Sequence, residues 1–335
     1  MGVGPFAKVF PVRPTPRGAD LVQLQLFDGE AFPTLVVEVL PKPGDIMRPR
    51  ERSLKDLEWE VSQLSQWRHP NIKRCFGHWA LDGVVHLALE YSRGPELPPS
   101  ISGGGPCDLW AFVVRHPDPI HEQVSKLLFA QLLNGMSFLH ARDIAIRDVR
   151  PEQIMVFDYV SSPDIRESLI RVPIVKISCI ETEFAGPLIY TAPEIIAAVG
   201  KKGAVPSPYS ADIYSLGITL FFFLSKKHPF TFSASEVQIS SDIAAGNLDW
   251  QPVNGQPGPV LQVLHALLEL DPARRPTATE ALLLPWFSSI VDADPGLLAA
   301  LQLDGIAATI RSHARAAGAP TGAAGAARNT GASSK

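Results

Sequence analysis

The sequence predicts an α+β fold in which a small, mostly antiparallel sheet carrying one helix is followed by a larger helical part. Hydrophobic residues alternate with period two early in the chain, and later they recur at helical spacing. A Pro- and Gly-rich stretch, Arg93 to Pro106, separates the two patterns. We therefore expect a sheet-containing part over 1–91, a helical part over 92–290 and a C-terminal extension over 291–335.

Strand patterns account for most of the first part. Leu21 to Phe27 alternates between apolar and polar residues and ends at the turn signal Asp28-Gly29. Leu35 to Leu40 is an aliphatic strand, and Phe76 to Tyr91 is a hairpin interrupted at Asp82-Gly83. The exception is an amphipathic helix, with apolar side chains at helical spacing at Leu54, Leu57, Val61 and Leu64.

Helical periods dominate the second part. Two apolar helix faces are formed by Val124, Leu127, Leu128, Leu132, Met136 and Leu139, and by Val260, Leu261, Leu264, Leu267 and Leu268. The apolar run Ile213 to Leu224 is too short to span a bilayer and predicts a core helix. Thr277 and Glu280 have the spacing of a capping box. From about residue 314 the chain is almost all Ala, Gly, Ser, Thr and Pro, which predicts disorder.

Charge and cysteine content exclude several classes of protein. Lys and Arg total 30 against 34 Asp and Glu, and no basic run is interleaved with aromatic residues, so nucleic acid is not an expected partner. Cys75, Cys107 and Cys179 are widely spaced, which indicates free thiols in a reducing compartment, and we expect the cytoplasm. The first residues lack the pattern of a signal peptide, and no membrane association is expected.

A series of short motifs, in a fixed order, resembles the protein-kinase superfamily from near residue 1 to Phe287. The motifs are His69-Pro70-Asn71-Ile72, Leu139-His140, Ile146-Arg147-Asp148, Arg150-Pro151-Glu152, Tyr190-Thr191-Ala192-Pro193-Glu194, Asp212 to Gly217, His228-Pro229-Phe230 and Asp271 to Pro276. Any one of them has little specificity, but their order leaves little room for another fold. The resemblance implies a protein-kinase-like, two-lobed fold.

The same resemblance implies roles for several residues. Glu194 would pair with Arg275 and brace the large lobe, and Asp212 would open its buried helix. Asp148 would occupy the position of the base that accepts the substrate hydroxyl proton, with Arg147 before it, although Ile146 replaces the family's histidine. The framework residues are therefore retained.

The residues that position ATP are not retained. Strand Leu35 to Val39 resembles the family's lysine-bearing strand, but the lysine position holds Glu38 and the small alanine position holds Val36. The helix glutamate that normally pairs with that lysine would be Glu60, so two carboxylates would face each other. A strand slip that places Lys42 in the pocket remains an alternative, although it requires Pro41 and Pro43 in the strand.

The metal-binding positions also differ from the family. Gln153 replaces the metal-binding asparagine, and it caps a turn at the surface or reaches a cation through its longer side chain. Cys179 replaces the chief magnesium ligand, and a thiol is a poor ligand for magnesium. The triplet Cys179-Ile180-Glu181 resembles that of Tribbles-type pseudokinases in ending with Glu. Glu181 or Glu183 remains an alternative metal ligand from a shifted position.

The activation loop is nearly absent from the sequence. Gly186 aligns with the glycine that opens the family's segment before the Ala-Pro-Glu motif, so only Thr182 to Ala185 separate it from the Cys179 triplet. Active kinases use this loop as a substrate platform and often as a phosphorylated switch, but Pro187 occupies the usual threonine position.

The nucleotide-facing segments of the first part are less distinctive. Gly2 to Val9 resembles the phosphate-cradling loop, with Gly2, Gly4 and Val9 at its conserved positions, and a second register begins at Gly18. The second register weakly resembles the kinase modules of the unfolded-protein-response kinase-nucleases and ribonuclease L. Leu89, Glu90 and Tyr91 form a hinge-like strand end whose backbone could bond an adenine.

The sequence as a whole predicts a pseudokinase that acts as a scaffold or allosteric partner of other proteins. The alternative is an atypical, weakly active Ser/Thr protein kinase that uses Asp148. ATP is a possible ligand, magnesium is not expected, and no metal site is assigned.

Overall fold

The computed structural model describes residues 3–4, 7–12, 35–39, 62, 65–81, 84–92, 107–116, 118–163, 169–178, 186–198, 207–230 and 235–316. These residues form a five-stranded antiparallel sheet followed by a mainly helical lobe, which confirms the predicted fold class.

The first sheet has the strand order β1-β2-β3-β5-β4. Its strands are β1 (Val3–Gly4), β2 (Ala7–Val12), β3 (Leu35–Val39), β4 (Cys75–Leu81) and β5 (Val84–Glu90). The strand predicted from Leu35 and the hairpin predicted from Phe76 are both present. The strand predicted over Leu21 to Phe27 lies outside the described residues.

The helix predicted over Leu54 to Leu64 lies almost entirely outside the described residues. Ser62 is helical, as are Ser65 and Gln66, and the Ser65 hydroxyl donates to the Ser62 carbonyl at 3.0 Å. The chain then enters β4 through Asn71 and Ile72, and Ile72 forms a parallel bridge with Ile177 of the second lobe. This bridge connects the first sheet to the helical lobe.

The second lobe contains nine described α-helices. They are α1 (Leu109–Arg115), α2 (Glu122–His140), α3 (Pro193–Ala198), α4 (Pro208–Ser225), α5 (Glu236–Ala245), α6 (Gly258–Leu267), α7 (Ala278–Ala281), α8 (Pro295–Ala300) and α9 (Asp304–Ala316). Both predicted apolar faces lie on helices, α2 and α6. The predicted capping box is confirmed, because Thr277 Oγ1 accepts from Glu280 N at 3.2 Å and Glu280 Oε2 accepts from Thr277 N at 2.8 Å.

Helix α4 runs through the centre of the second lobe. Its residues from Ala211 to Phe223 are all buried, as the apolar run in the sequence predicted for a core helix. Among the residues that the structure describes, no helix has the length and apolar character needed to cross a bilayer. The central helix therefore serves as the framework that positions the segment carrying Arg147 and Asp148.

A three-stranded sheet in the second lobe was predicted only at Val175 to Ser178, which resemble the family's strand before the magnesium-ligand triplet. It consists of β6 (Cys107–Asp108), β7 (Ile154–Pro163) and β8 (Leu169–Ile177), and β7 and β8 form a long antiparallel hairpin. The open edge of β8 lies against α2, where buried Gln131 donates to Pro173 O at 2.9 Å and accepts from Val175 N at 3.1 Å. This side chain satisfies edge groups that an additional strand would otherwise pair.

The first part of the C-terminal extension forms helices α8 and α9. Helix α9 ends at Ala316, and the rest of the segment predicted to be disordered lies outside the described residues. Helices α8 and α9 and the turn between them bury Leu297, Leu298, Leu301, Leu303, Ala307 and Ile310. These apolar contacts make residues 295–316 an integral part of the lobe.

Candidate active site

The segment carrying Arg147 and Asp148 is anchored by Asp212, near the start of α4. The buried Asp212 carboxylate accepts hydrogen bonds from Ile146 N and Arg147 N, both at 2.7 Å, and from His140 Nε2 at 2.9 Å. Arg147 has a positive φ of 64°, a conformation that a side-chain-bearing residue keeps only when its surroundings hold it. Asp212 therefore fixes the backbone immediately before Asp148.

Ile146 and His140 show how this anchor differs from the sequence expectation. Ile146 is fully buried, so an apolar side chain fills the position that the family gives to histidine. The imidazole bond to Asp212 comes instead from His140, at the end of α2. In the sequence His140 stands out only as part of a motif, because its proximity to Asp212 depends on the packing of α2 against α4.

The Asp148 carboxylate is enclosed by groups of its own lobe. Arg150 Nε lies 2.9 Å from Oδ1 and 3.0 Å from Oδ2, and Gln153 Nε2 donates to Oδ2 at 3.1 Å. On the other side, a Cβ added to Gly186 would lie 2.3 Å from Oδ1. Only 4% of the Asp148 side chain is exposed. The residue at the base position thus has its acceptor oxygens directed towards internal donors.

Gln153 lies beside Asp148 in the structure. It ends a 3-10 turn, Pro151–Gln153, and is half-buried, with its amide nitrogen on Asp148. Its backbone carbonyl accepts from Ser178 N and Ser178 Oγ, both at 2.9 Å. The side chain is therefore a donor to the loop, and the description as a surface turn cap is wrong.

Two further carboxylates and a buried phenol lie near Arg150. Burial raises the pKa of Asp108 and of Glu152, while the positive charge of Arg150 opposes this rise at both. Burial also raises the pKa of Tyr190, whose hydroxyl has no hydrogen-bond partner among the described residues. Sequence reasoning missed these residues as a group, because they come from separate elements: the N-cap of α1, the Pro151 turn and the segment before α3.

The hinge-like strand end connects the two lobes. Leu89 is buried at the end of β5 and pairs with Val36, while Glu90 pairs with Leu35. Glu90 Oε1 accepts from Lys176 Nζ at 2.5 Å, so the charge of Lys176 on β8 is neutralised at the hinge. Tyr91 is half-buried, and the next residue, Ser92, donates through its hydroxyl to Val156 O at 2.8 Å.

The predicted nucleotide-facing residues of the first sheet are placed by backbone register. Val9 pairs with Glu38, and Glu38 pairs with Leu87. Gly4 belongs to β1, which pairs with β2, and the second register from Gly18 lies outside the described residues. Glu38 pairs with a strand on each side and thus occupies the middle of a three-strand ladder.

Several predicted site residues lie outside the described residues: Gly2, Lys42, Glu60, Cys179, Glu181 and Glu183. Among the residues that the structure describes, no group of three or more His, Cys, Asp or Glu side chains is arranged to hold a metal ion. The two structural residues away from the loop, Glu194 and Arg275, form an ion pair at 2.5 Å.

Comparison with known proteins identifies one family. The family model described as protein kinase domain matches residues 45–287 of the chain. Among solved structures, the chain resembles a crystal structure of Rad53 residues 1–466 in complex with AMP-PNP, with a TM-score of 0.63, 23% identity, and coverage of 86% of this chain and 63% of that one. At this identity the likeness shows the fold alone.

Related sequences come from plants, fungi and bacteria. The chain is 27% identical over 292 residues to CBL-interacting serine/threonine-protein kinase 19 of Arabidopsis thaliana, covering 86% of this chain and 52% of the relative. It is 26% identical to serine/threonine-protein kinase cds1 of Schizosaccharomyces pombe, covering 72% and 49%, and 27% identical to serine/threonine-protein kinase D of Synechocystis, covering 68% and 41%. The chain thus spans about half the length of these relatives.

Proposed function

The chain belongs to the protein kinase domain family, and from this premise we propose that it is a pseudokinase that works by binding other proteins. The observation that carries the proposal is the state of Asp148. Its carboxylate accepts a bifurcated hydrogen bond from Arg150 Nε and a second bond from Gln153 Nε2, and only 4% of its side chain is exposed, which limits the access of a substrate hydroxyl to the base position.

Residue identity at the charge-bearing positions supports the same proposal. Phosphoryl transfer requires positive charge around the transferring phosphate, because negative charge spreads over its oxygens in the transition state. β3 carries Glu38 where the family has lysine, which replaces attraction to a phosphate with repulsion of several kcal/mol at a separation of about 4 Å. Cys179 stands at the position of the magnesium ligand, and a thiolate is a soft ligand that does not suit magnesium. The triplet resembles that of Tribbles-type pseudokinases in ending with Glu181.

A protein-binding role is supported by the structural residues that the chain retains. The Glu194–Arg275 pair and the Asp212 anchor maintain the large lobe, so the fold can present a surface to a partner without transferring phosphate. Within this proposal the partners are proteins in the cytoplasm, ATP binds weakly if at all, and magnesium has no part in binding.

The second candidate is an atypical, weakly active Ser/Thr protein kinase. It is favoured by the relatives, whose names describe serine/threonine kinases, and by the position of Asp148 on a loop anchored by Asp212. In this case a substrate hydroxyl would have to reach the Asp148 carboxylate beside Arg150 and Gln153.

Two measurements on the same preparation distinguish these functions. Thermal unfolding is followed with ATP, with and without magnesium, because only a ligand of the native state raises stability. Transfer of radiolabelled phosphate to generic Ser/Thr peptides is measured beside an Asp148→Asn variant. A pseudokinase gives no magnesium-dependent stabilisation and no transfer above that variant. Magnesium-dependent stabilisation together with transfer that is lost in Asp148→Asn would establish the second candidate.

A further inference from the structure

The sequence contains the dipeptide Asn-Gly twice, and the structure places the two copies in opposite environments. Asn134-Gly135 lies within helix α2, and Asn254-Gly255 lies in the segment between α5 and α6. In this dipeptide the backbone amide after the asparagine can approach the asparagine side chain freely, because glycine has no Cβ to obstruct it. The two copies therefore share the same local chemistry and differ in what surrounds them.

Asn254 is held by few contacts. It follows the 3-10 turn Gln251–Val253, and both Asn254 and Gly255 are exposed. The Asn254 amide donates to Gln251 O at 3.3 Å, a long hydrogen bond, and a Cβ added to Gly255 would have no neighbour within 4 Å. No backbone acceptor for the Gly255 amide is found among the described residues. The main chain here can therefore rotate at a low cost in free energy.

We propose that Asn254 is a site of spontaneous deamidation. The Gly255 amide nitrogen gives up its proton and attacks the side-chain carbonyl carbon of Asn254. The bond from that carbon to the side-chain nitrogen breaks, and the nitrogen leaves as ammonia after taking up the proton. Water then opens the resulting cyclic imide at either of its carbonyl groups, which gives aspartate or isoaspartate. The whole change consumes a water molecule and releases an ammonia molecule.

Asn134 carries the same dipeptide but is protected by the packing of α2. Its Nδ2 donates to Asn71 Oδ1 at 3.1 Å, which fixes the side chain that would have to be attacked. Gly135 is buried, and a Cβ added to it would lie 3.1 Å from Asn71 O. The Gly135 amide belongs to the hydrogen-bonded ladder of the helix. Attack at Asn134 therefore requires that α2 unwinds among buried neighbours.

Deamidation of Asn254 changes both charge and main-chain geometry at this surface. The new carboxylate makes the net charge of −4 more negative by one unit, and it lies beside a cleft that Lys227, Asp249 and Gln251 help to line. Isoaspartate also adds a methylene group to the main chain. This addition disrupts the turn after Val253, in which Gln256 N donates to Val253 O at 2.9 Å.

The test compares the two asparagines in one sample. The full chain is incubated at mildly alkaline pH, both native and unfolded in guanidinium chloride. Mass spectrometry follows each Asn-Gly peptide, and isoelectric focusing records the added charge. In the native chain we expect Asn254 to deamidate at least roughly tenfold faster than Asn134, because the helix must open before Asn134 can react. In guanidinium chloride the two rates should converge, because the helix is lost.

Gly255→Ala is the matched variant, since the new methyl group obstructs the attack but meets no neighbour in the fold. It should slow deamidation of Asn254 by roughly tenfold and leave the melting temperature unchanged. Equal native rates at the two asparagines, or an undiminished rate in Gly255→Ala, would overturn the proposal. So would a difference between the two sites that persists in guanidinium chloride, because sequence neighbours would then explain it. Phosphate transfer by the protein would refute the proposed function without altering these rates.

Discussion

Glu194 and Arg275 form a bidentate ion pair inside the helical lobe. Arg275 Nη1 lies 2.5 Å from Glu194 Oε1 and Nη2 lies 2.8 Å from Oε2, and the arginine side chain is fully buried. The guanidinium also donates to the backbone carbonyls of Ser210, Glu269 and Leu270. One side chain thus connects the start of α3, the start of α4 and the segment after α6.

Glu194→Ala should destabilise the lobe by roughly 3 to 5 kcal/mol, because it leaves a buried guanidinium without its counter-charge. Urea unfolding followed by tryptophan fluorescence measures the loss. Arg274→Ala, which removes an exposed partner of Glu269, should change the free energy of unfolding by about 0.5 kcal/mol or less. Equal effects of the two substitutions would contradict a structural role for the buried pair.

Within the C-terminal extension, residues up to Ala316 should contribute to the stability of the lobe, and residues after Ala316 should not. A chain ending there keeps α8 and α9, and we expect its melting temperature to match that of the full chain. A chain ending at Asp292 loses the buried Leu297, Leu298, Leu301 and Leu303, each worth about 1.5 to 3 kcal/mol of burial, so it should unfold many degrees lower. Differential scanning calorimetry of the two chains tests this, and a large drop for the longer one would show that residues after 316 dock.

Gly186→Ala should be costly because of its contact with Asp148. The new Cβ would lie 2.3 Å from Oδ1, and Arg150 and Gln153 hold the carboxylate in place. We expect a loss of about 1 to 3 kcal/mol in the free energy of unfolding. Gly255→Ala is the matched control, since its Cβ would have no neighbour within 4 Å. The close approach is disproved if chemical denaturation shows both variants to be equally stable.

The buried imidazole of His228 should make stability depend on pH. Burial lowers its pKa from 6.5 to about 4, and its ring stacks on Phe222 at a centroid distance of 4.9 Å. The His228 imidazole of the unfolded chain therefore binds a proton near pH 6.5, whereas that of the folded chain stays neutral until about pH 4. The free energy of unfolding falls as the pH drops through this range. His69, with its pKa also lowered to about 4, acts in the same direction.

His228→Phe should weaken this dependence. After allowing for partial solvent screening, we expect the loss between pH 7.5 and pH 5 to shrink by on the order of 1 kcal/mol. Urea midpoints at the two pH values measure it, with His313→Gln on the exposed face of α9 as the control. An unchanged pH slope in His228→Phe would mean that the imidazole titrates normally in the folded state.

Restoring the family's residues should separate nucleotide binding from phosphate transfer. Glu38→Lys, Gln153→Asn and Cys179→Asp together rebuild the charges that position ATP and magnesium, so the triple variant should gain magnesium-dependent thermal stabilisation by ATP. Peptide phosphorylation should remain negligible, because Thr182 to Ala185 are too few to form a substrate platform and transfer depends steeply on placement.

Radiolabel transfer to generic Ser/Thr peptides by the triple variant provides the test, with Asp148→Asn added to that background as the control. Robust transfer that this control abolishes would show that the short loop suffices, and would favour the atypical kinase.

The fold class and several of its elements could be predicted from the sequence alone. Local signals were sufficient for the strand at Leu35, the helix periods of α2 and α6, and the capping box at Thr277, because each depends on residues within a few positions of one another. Family motifs in order also indicated which side chains differ from those of a kinase. The loss of a lysine at Glu38 can be read directly from the letters.

The surroundings of the retained residues depend on tertiary packing. The sequence places Asp148 at the position of the family's base, and the structure surrounds its carboxylate with Arg150, Gln153 and Gly186. The full hairpin of β7 and β8 was not predicted. The backbone groups at its edge are hydrogen-bonded to the amide of Gln131, which lies on the distant helix α2. Some of these contacts join residues that are far apart in sequence, and others direct the side chains of neighbouring residues towards the interior. Local propensity predicts neither kind of contact, because the direction of a side chain is set by the packing around it.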